Sequence, residues 1–135
     1  MATVKSFTAI ALFAILFGFN PLVSAGDHWS DDWKIKVDDD ATSAGTIRFT
    51  ISLEPGAGAP GVPWVVNVLV PDGTKENDIA ELISVAFRTV LNELNFTIKH
   101  KNGEELTIKT RGETPDIALE LTGNTVQGIK LEIDN

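Results

Sequence analysis

Apolar residues recur along this chain with three different periods. Between Phe7 and Phe19 the stretch FTAIALFAILFGF is apolar almost without a break. From Trp33 onwards, short segments alternate with a period of two, the mark of a strand that buries one face. Trp33, Ile35 and Val37 alternate with Lys34 and Lys36, and Ile47, Phe49, Ile51 and Leu53 alternate with Arg48, Thr50 and Ser52. The alternation is weaker in WVVNVLV (64–70), a β-branched run that predicts a more central strand covered on both faces. One stretch changes to helical spacing. There Ile79, Leu82, Ile83, Ala86, Phe87, Val90, Leu91 and Leu94 recur at intervals of three and four and form a single broad stripe. Thr74 stands where it can cap this helix, and Glu76, Asp78 and Glu81 fall early, where the helix dipole favours negative charge.

After the helix, NFTIKHKNGEELTIKT predicts a hairpin. A two-residue Asn102-Gly103 turn would set Ile98 opposite Thr107 and expose half of the apolar residues. A three-residue loop, Lys101-Asn102-Gly103, sets Ile98 opposite Leu106 and Phe96 opposite Ile108, with Gly103 at the left-handed position. Two further strands carry Ile117, Leu119 and Leu121, then Ile129, Leu131 and Ile133, around a TGNTVQG turn region. The Gly/Pro stretch EPGAGAPGVP and the run Asp38-Asp39-Asp40 read as loops. The expected architecture is α+β: a single antiparallel sheet with one amphipathic helix packed on it, a ββαββ core plus extra strands.

The uninterrupted apolar run does not fit that domain. Lys5 precedes it, Asn20 and Pro21 end it, and Val23-Ser24-Ala25 places small residues where a signal peptidase cuts. Its length suits a secretory signal but is too short to span a bilayer. The chain therefore divides into a cleaved signal peptide at 1–25, an acidic lead with an edge strand at 26–45, and a ββαββ-type domain at 46–135. The expected location is secreted or periplasmic.

Charge and composition sharpen the picture. The 135-residue chain carries a formal −8, and loss of Lys5, the one charge before Asp27, makes the mature charge −9. Such acidity disfavours nucleic acid and anionic membrane surfaces as partners. With the signal removed, no stable membrane insertion is expected. There is no cysteine, hence no disulfide, so the 110 residues after position 25 must be held by an apolar core, for which they suffice.

The run VPDGTKENDIAELISVAFRTVLNE, then FTIKHKNGEELTIKTRG and a terminal strand pair, resembles the ββαββ unit of flagellar hook and filament proteins. That unit is called the flagellin hook IN motif, and similar units occur in phage-tail and surface modules. The matching phrases are Ile79-Ala80, Ile83, Ala86 and Leu91, followed by Leu106-Thr107-Ile108, Thr110 and Gly112. The resemblance covers roughly residues 46–133. It departs from the family in one respect, because flagellar axial proteins use their own export apparatus and carry no cleaved signal. What it implies is a small interaction or assembly module in an extracytoplasmic setting.

Catalytic chemistry has little to draw on. Cysteine and tyrosine are absent, and Ser30, Ser43, Ser52 and Ser84 lie in no Gly-x-Ser-x-Gly elbow. His100, between Lys99 and Lys101, reads as an exposed hairpin histidine. Glu104 and Glu105 are adjacent and would point to opposite faces of a strand, so they cannot act together. A calcium loop beginning at Asp38 fails, since its sixth and twelfth positions are Ser43 and Phe49. No catalytic set is assigned, and the protein is read as non-enzymatic.

Two candidate sites remain. Cleavage after Ala25 would expose Gly26-Asp27-His28, whose amine, two amide nitrogens and imidazole form a tetragonal set suited to copper(II) or nickel(II). Trp29 and Trp33 beside Asp31 and Asp32 could make an aromatic, acidic face that stacks on sugars or captures cations. The competing reading places Trp33 and Trp64 in the core, with Trp29 plugging a sheet edge. The expected function is an exported interaction or assembly module that self-associates or binds a protein partner through a sheet edge or the Gly/Pro loop. The alternative is an extracytoplasmic metal- or ligand-binding protein that uses the Gly26-Asp27-His28 terminus.

Overall fold

A computed structural model describes residues 29–55, 63–101 and 103–135. Its elements are β1 (Asp32–Asp38), β2 (Gly45–Leu53), β3 (Trp64–Val70), α1 (Glu76–Val90), β4 (Phe96–His100), β5 (Glu105–Thr110), β6 (Ile117–Asn124) and β7 (Lys130–Asp134). They form two antiparallel sheets, one of order β4-β5-β1-β7 and one of order β3-β2-β6. The mixed class with one helix stands, but the expected single sheet is corrected. A 15-residue helix is roughly 22 Å long and 10 Å wide, too small to cover seven half-apolar strands. The strands instead bury their apolar faces in one common core.

That core takes Trp33, Ile35 and Ile108 from the four-stranded sheet, Phe49, Val66 and Leu119 from the three-stranded sheet, and Ile79, Ile83 and Phe87 from the helix. Phe49 and Phe87 meet with ring centroids 5.3 Å apart. The helix lies against β1, β4 and β5 on one side and β3 on the other. At the start of β1 the two sheets are tied by Ser30, whose N–H donates to the Ile117 carbonyl and whose carbonyl accepts from the Ile117 N–H.

Several local expectations change. β1, expected as an edge strand, lies inside the four-stranded sheet between β5 and β7. WVVNVLV is an edge strand rather than a central one: Val66, Val68 and Val70 are buried while Val65, Asn67 and Leu69 face solvent. A β-branched run favours a strand but does not say how many neighbours it has. In the hairpin, Ile98 pairs with Ile108 and Phe96 with Thr110, and the Lys101 N–H donates to the Glu105 carbonyl. The register is displaced by two residues, so each side chain keeps its expected face. Gly103 has the left-handed φ of 94° that such a loop requires, while Asn102 lies outside the described residues.

The helix start also differs from expectation. Thr74 does not cap the helix; its hydroxyl donates to the Pro71 carbonyl at 2.6 Å. The cap comes from Asp40, whose carboxylate accepts the Glu76 N–H at 3.1 Å and also lies 3.5 Å from the Lys75 ammonium. The loop of acidic residues is thereby fixed to the helix. TGNTVQG is shorter as a turn than expected, because β6 runs on to Asn124, whose buried side-chain oxygen accepts the Val126 N–H.

Candidate functional site

Gly26, Asp27 and His28 lie outside the described residues. Of the aromatic and acidic residues that follow, Trp33 is 1% exposed, and its indole N–H donates to the carbonyls of Ile117 at 2.9 Å and Ser30 at 3.3 Å. It ties the two sheets together and offers no face to a ligand. Asp32, its strand neighbour, points the other way and sits 3.6 Å from the Lys109 ammonium. Asp31 is exposed, and its backbone carbonyl accepts the Thr110 N–H. Trp29 is exposed. The fold therefore does not gather Trp29, Asp31, Asp32 and Trp33 into one binding face.

The outward faces of the two sheets differ in chemistry. On the four-stranded sheet, lysines and carboxylates oppose each other across strands: Lys36 faces Glu105 and Glu132, Lys109 faces Asp32, and Lys34 faces Asp134. Thr107 sits in register between Lys34 and Lys99 and is only 7% exposed, which fits long methylene stems lying over it. This is a solvated, charge-paired surface.

The three-stranded sheet turns Val65, Asn67 and Leu69 of β3 outward, in register with Thr50, Arg48 and Thr46 of β2. Val65 is 49% and Leu69 75% exposed. They stand about 13 Å apart along the strand, with Asn67 between them. The strand carries no charged residue. Arg48 donates to the Asn67 side-chain oxygen, and the Thr50 and Thr122 hydroxyls pair at 3.0 Å, so the polar groups of this face are largely engaged with each other. With Arg48 and Glu120 the face carries one charge of each sign, so it has fewer ions to desolvate than the charge-laced sheet opposite.

A second constellation lies where the hairpin meets the helix start. Asp38 ends β1, Glu76 begins α1, and Glu104 precedes β5; one oxygen from each carboxylate lies within 4.8 Å of the others. The Val37 N–H donates to the Glu104 carbonyl at 2.8 Å and holds that segment in place. Hydrogen bonding to the Glu76 carboxyl pushes the Glu104 carboxyl above its ordinary pKa, helped by burial, by Asp38 and by the Glu76 charge, with Lys36 opposing. Three such groups can share a proton, or offer one oxygen each to a hard divalent cation. Spacing in the sequence gives no hint of this cluster, because its members are joined only by strand register and by the helix contact.

Nearby, His100 is not the exposed hairpin histidine expected; its side chain is 17% exposed. Its Nδ1 lies 2.7 Å from a Glu81 carboxylate oxygen and its Nε2 2.8 Å from the Gly103 carbonyl, so it clips the hairpin to the helix.

Among the described residues no helix is long and apolar enough to cross a membrane. No family model matches the chain, and neither a curated protein nor a solved structure matches it.

Proposed function

We propose that this protein is an exported, non-enzymatic interaction or assembly module, acting in the periplasm or outside the cell. A single observation carries the reading: Val65 and Leu69 stand exposed on one face of an uncharged edge strand, among threonines. A chain of formal charge −8 repels acidic neighbours, so contact with a second copy or another protein needs a surface where that repulsion is weakest. The outward face of the three-stranded sheet is such a surface. Export rests on the apolar stretch from Phe7 to Phe19 and the small residues before Gly26.

The test is a photo-cross-linking residue placed at Thr46, beside Leu69, in protein exported with its own leader. Discrete adducts, of a second copy or of one partner, are expected, and Leu69→Lys should abolish them while Lys99→Glu on the opposite sheet leaves them unchanged. An absence of adducts, together with a monomer at every concentration in sedimentation velocity, would overturn the proposal.

A further inference from the structure

Where α1 ends, the chain builds a cleft of about 230 Å³ between the last helical turn and β4. Leu91 and Phe96 line it, each only 3% exposed, and supply an apolar floor. Trp64 packs edge-on with the Phe96 ring, with centroids 5.7 Å apart. Two of the chain's three arginines, Arg88 and Arg111, also line the cleft. In a chain with 19 acidic residues this is a local reversal of charge.

Both guanidinium groups are positioned but not neutralised. Arg88 Nη2 donates to the Ile98 carbonyl at 3.4 Å, and Arg111 Nη1 donates to the Glu93 carbonyl at 2.8 Å. Among the described residues, neither arginine forms an ion pair, and neither does Glu93, which also borders the cleft. A guanidinium has five N–H donors in a planar fork that matches a carboxylate. The 2.8 Å bond orients the Arg111 fork and the longer 3.4 Å bond holds that of Arg88 more loosely, and both leave the charge and most of the donors available.

The floor narrows the ligand further. A bare inorganic anion would satisfy the arginines but would leave water on the apolar part of the lining, chiefly the half-buried Ile98 beside the tips of Leu91 and Phe96. At roughly 30 Å³ per water, the cleft has room for about seven or eight water-sized groups, the size of a small ring or short chain. We propose that this cleft binds a small organic carboxylate, its carboxylate held by Arg88 and Arg111 and its apolar body resting against Ile98, Leu91 and Phe96. The site uses none of the residues of the neutral sheet face and does not depend on the function proposed for that face.

Titration of the purified protein with benzoate and hexanoate, followed by NMR, tests this directly. Saturable shifts are expected in the Nε–H signals of Arg88 and Arg111 and in the amides of Thr97 and Ile98. The Arg48 Nε–H signal, on the other sheet, should not move. Hexanol and inorganic phosphate should bind at least roughly tenfold more weakly, since each supplies only half of the match. Arg88→Gln and Arg111→Gln should each weaken benzoate binding by about tenfold or more. Phosphate binding as well as benzoate would make this an inorganic-anion site and overturn the proposal. So would a lack of saturation with either carboxylate, or affinity unchanged in both variants. The arginine signals of the unaltered protein decide the matter even if a variant fails to fold.

Discussion

The inward faces of the two sheets are alike, and their outward faces are not. Inside, both contribute fully buried aromatic and β-branched residues to one cluster, Trp33 and Ile35 from one sheet and Phe49 and Val66 from the other. Outside, the four-stranded sheet is laced with opposed lysines and carboxylates, while the three-stranded sheet shows threonines, Val65 and Leu69. Folding needs only the inward pattern, since surface substitutions away from special features change stability little. The outward difference therefore concerns what each surface meets. Charge keeps one surface solvated and discourages edge-to-edge association; the other, where Arg48 and Glu120 stand among threonines and apolar side chains, gives up water more readily.

The largest expected effect tests the shared interior. Trp33→Ala and Phe49→Ala should each cost about 3–5 kcal/mol, because each leaves a large cavity among residues that cannot collapse fully. Trp33 also leaves the Ile117 carbonyl without its indole donor. Urea unfolding followed by fluorescence and by circular dichroism should give one coincident transition in the unaltered protein. Two transitions, with each substitution lowering only one, would show that the sheets are separate units and that the comparison of their faces is misplaced.

The next effect concerns the seam between the sheets. Gly128, just before β7, has φ 90°, and a Cβ there would lie 2.8 Å from the Asp40 carbonyl oxygen and the Thr42 hydroxyl. Gly128→Ala should therefore cost about 1–3 kcal/mol, from backbone strain and from displacing the loop that joins β1 to β2. The same loop carries Asp40, which caps the helix. Retained stability, measured by thermal unfolding, would mean that this loop is not pinned as described. By contrast, Leu69→Lys on the neutral face should alter stability by no more than about 0.5 kcal/mol while removing association, which separates the outward role from the inward one.

Much of this fold was legible because periodicity reports one-sided burial. Ile47, Phe49 and Ile51, or Ile79, Ile83 and Phe87, announce their elements by spacing alone, and all are buried. Spacing says nothing of which strands become neighbours. That is why two sheets replace the expected one, and why WVVNVLV, whose composition predicts a central strand, forms an edge. The site residues were less legible still. Asp38, Glu76 and Glu104 come from three elements far apart in sequence, and Arg88 and Arg111 each look like an isolated surface cation until β4 brings them to one cleft. Trp33 has two readings in the sequence, a ligand platform beside its acidic neighbours and a core residue alternating with Ile35 and Val37; the structure bears out the second, with Trp33 1% exposed.

The smallest effect has a sign that distinguishes the charged corner from an ordinary salt-bridged surface. Glu104 begins from an ordinary carboxyl value near 4.5 and is raised in the folded protein, first by the hydrogen bond with Glu76. The folded state thus holds that proton more tightly than the unfolded chain does. Stability from this group must fall as pH rises through the interval between the ordinary and the raised value, and must be regained on acidification. Most paired carboxylates behave in the opposite way. Glu104→Gln keeps the hydrogen-bonding shape without the charge, so it should be more thermally stable than the unaltered protein at pH 7, with the advantage shrinking towards pH 4.5 and vanishing below it. Thermal midpoints of both proteins across that range provide the check. Equal or lower stability of Glu104→Gln at pH 7 would show that attraction to Lys36 outweighs the Asp38 and Glu76 carboxylates. The corner would then belong with the charge-paired sheet surface after all.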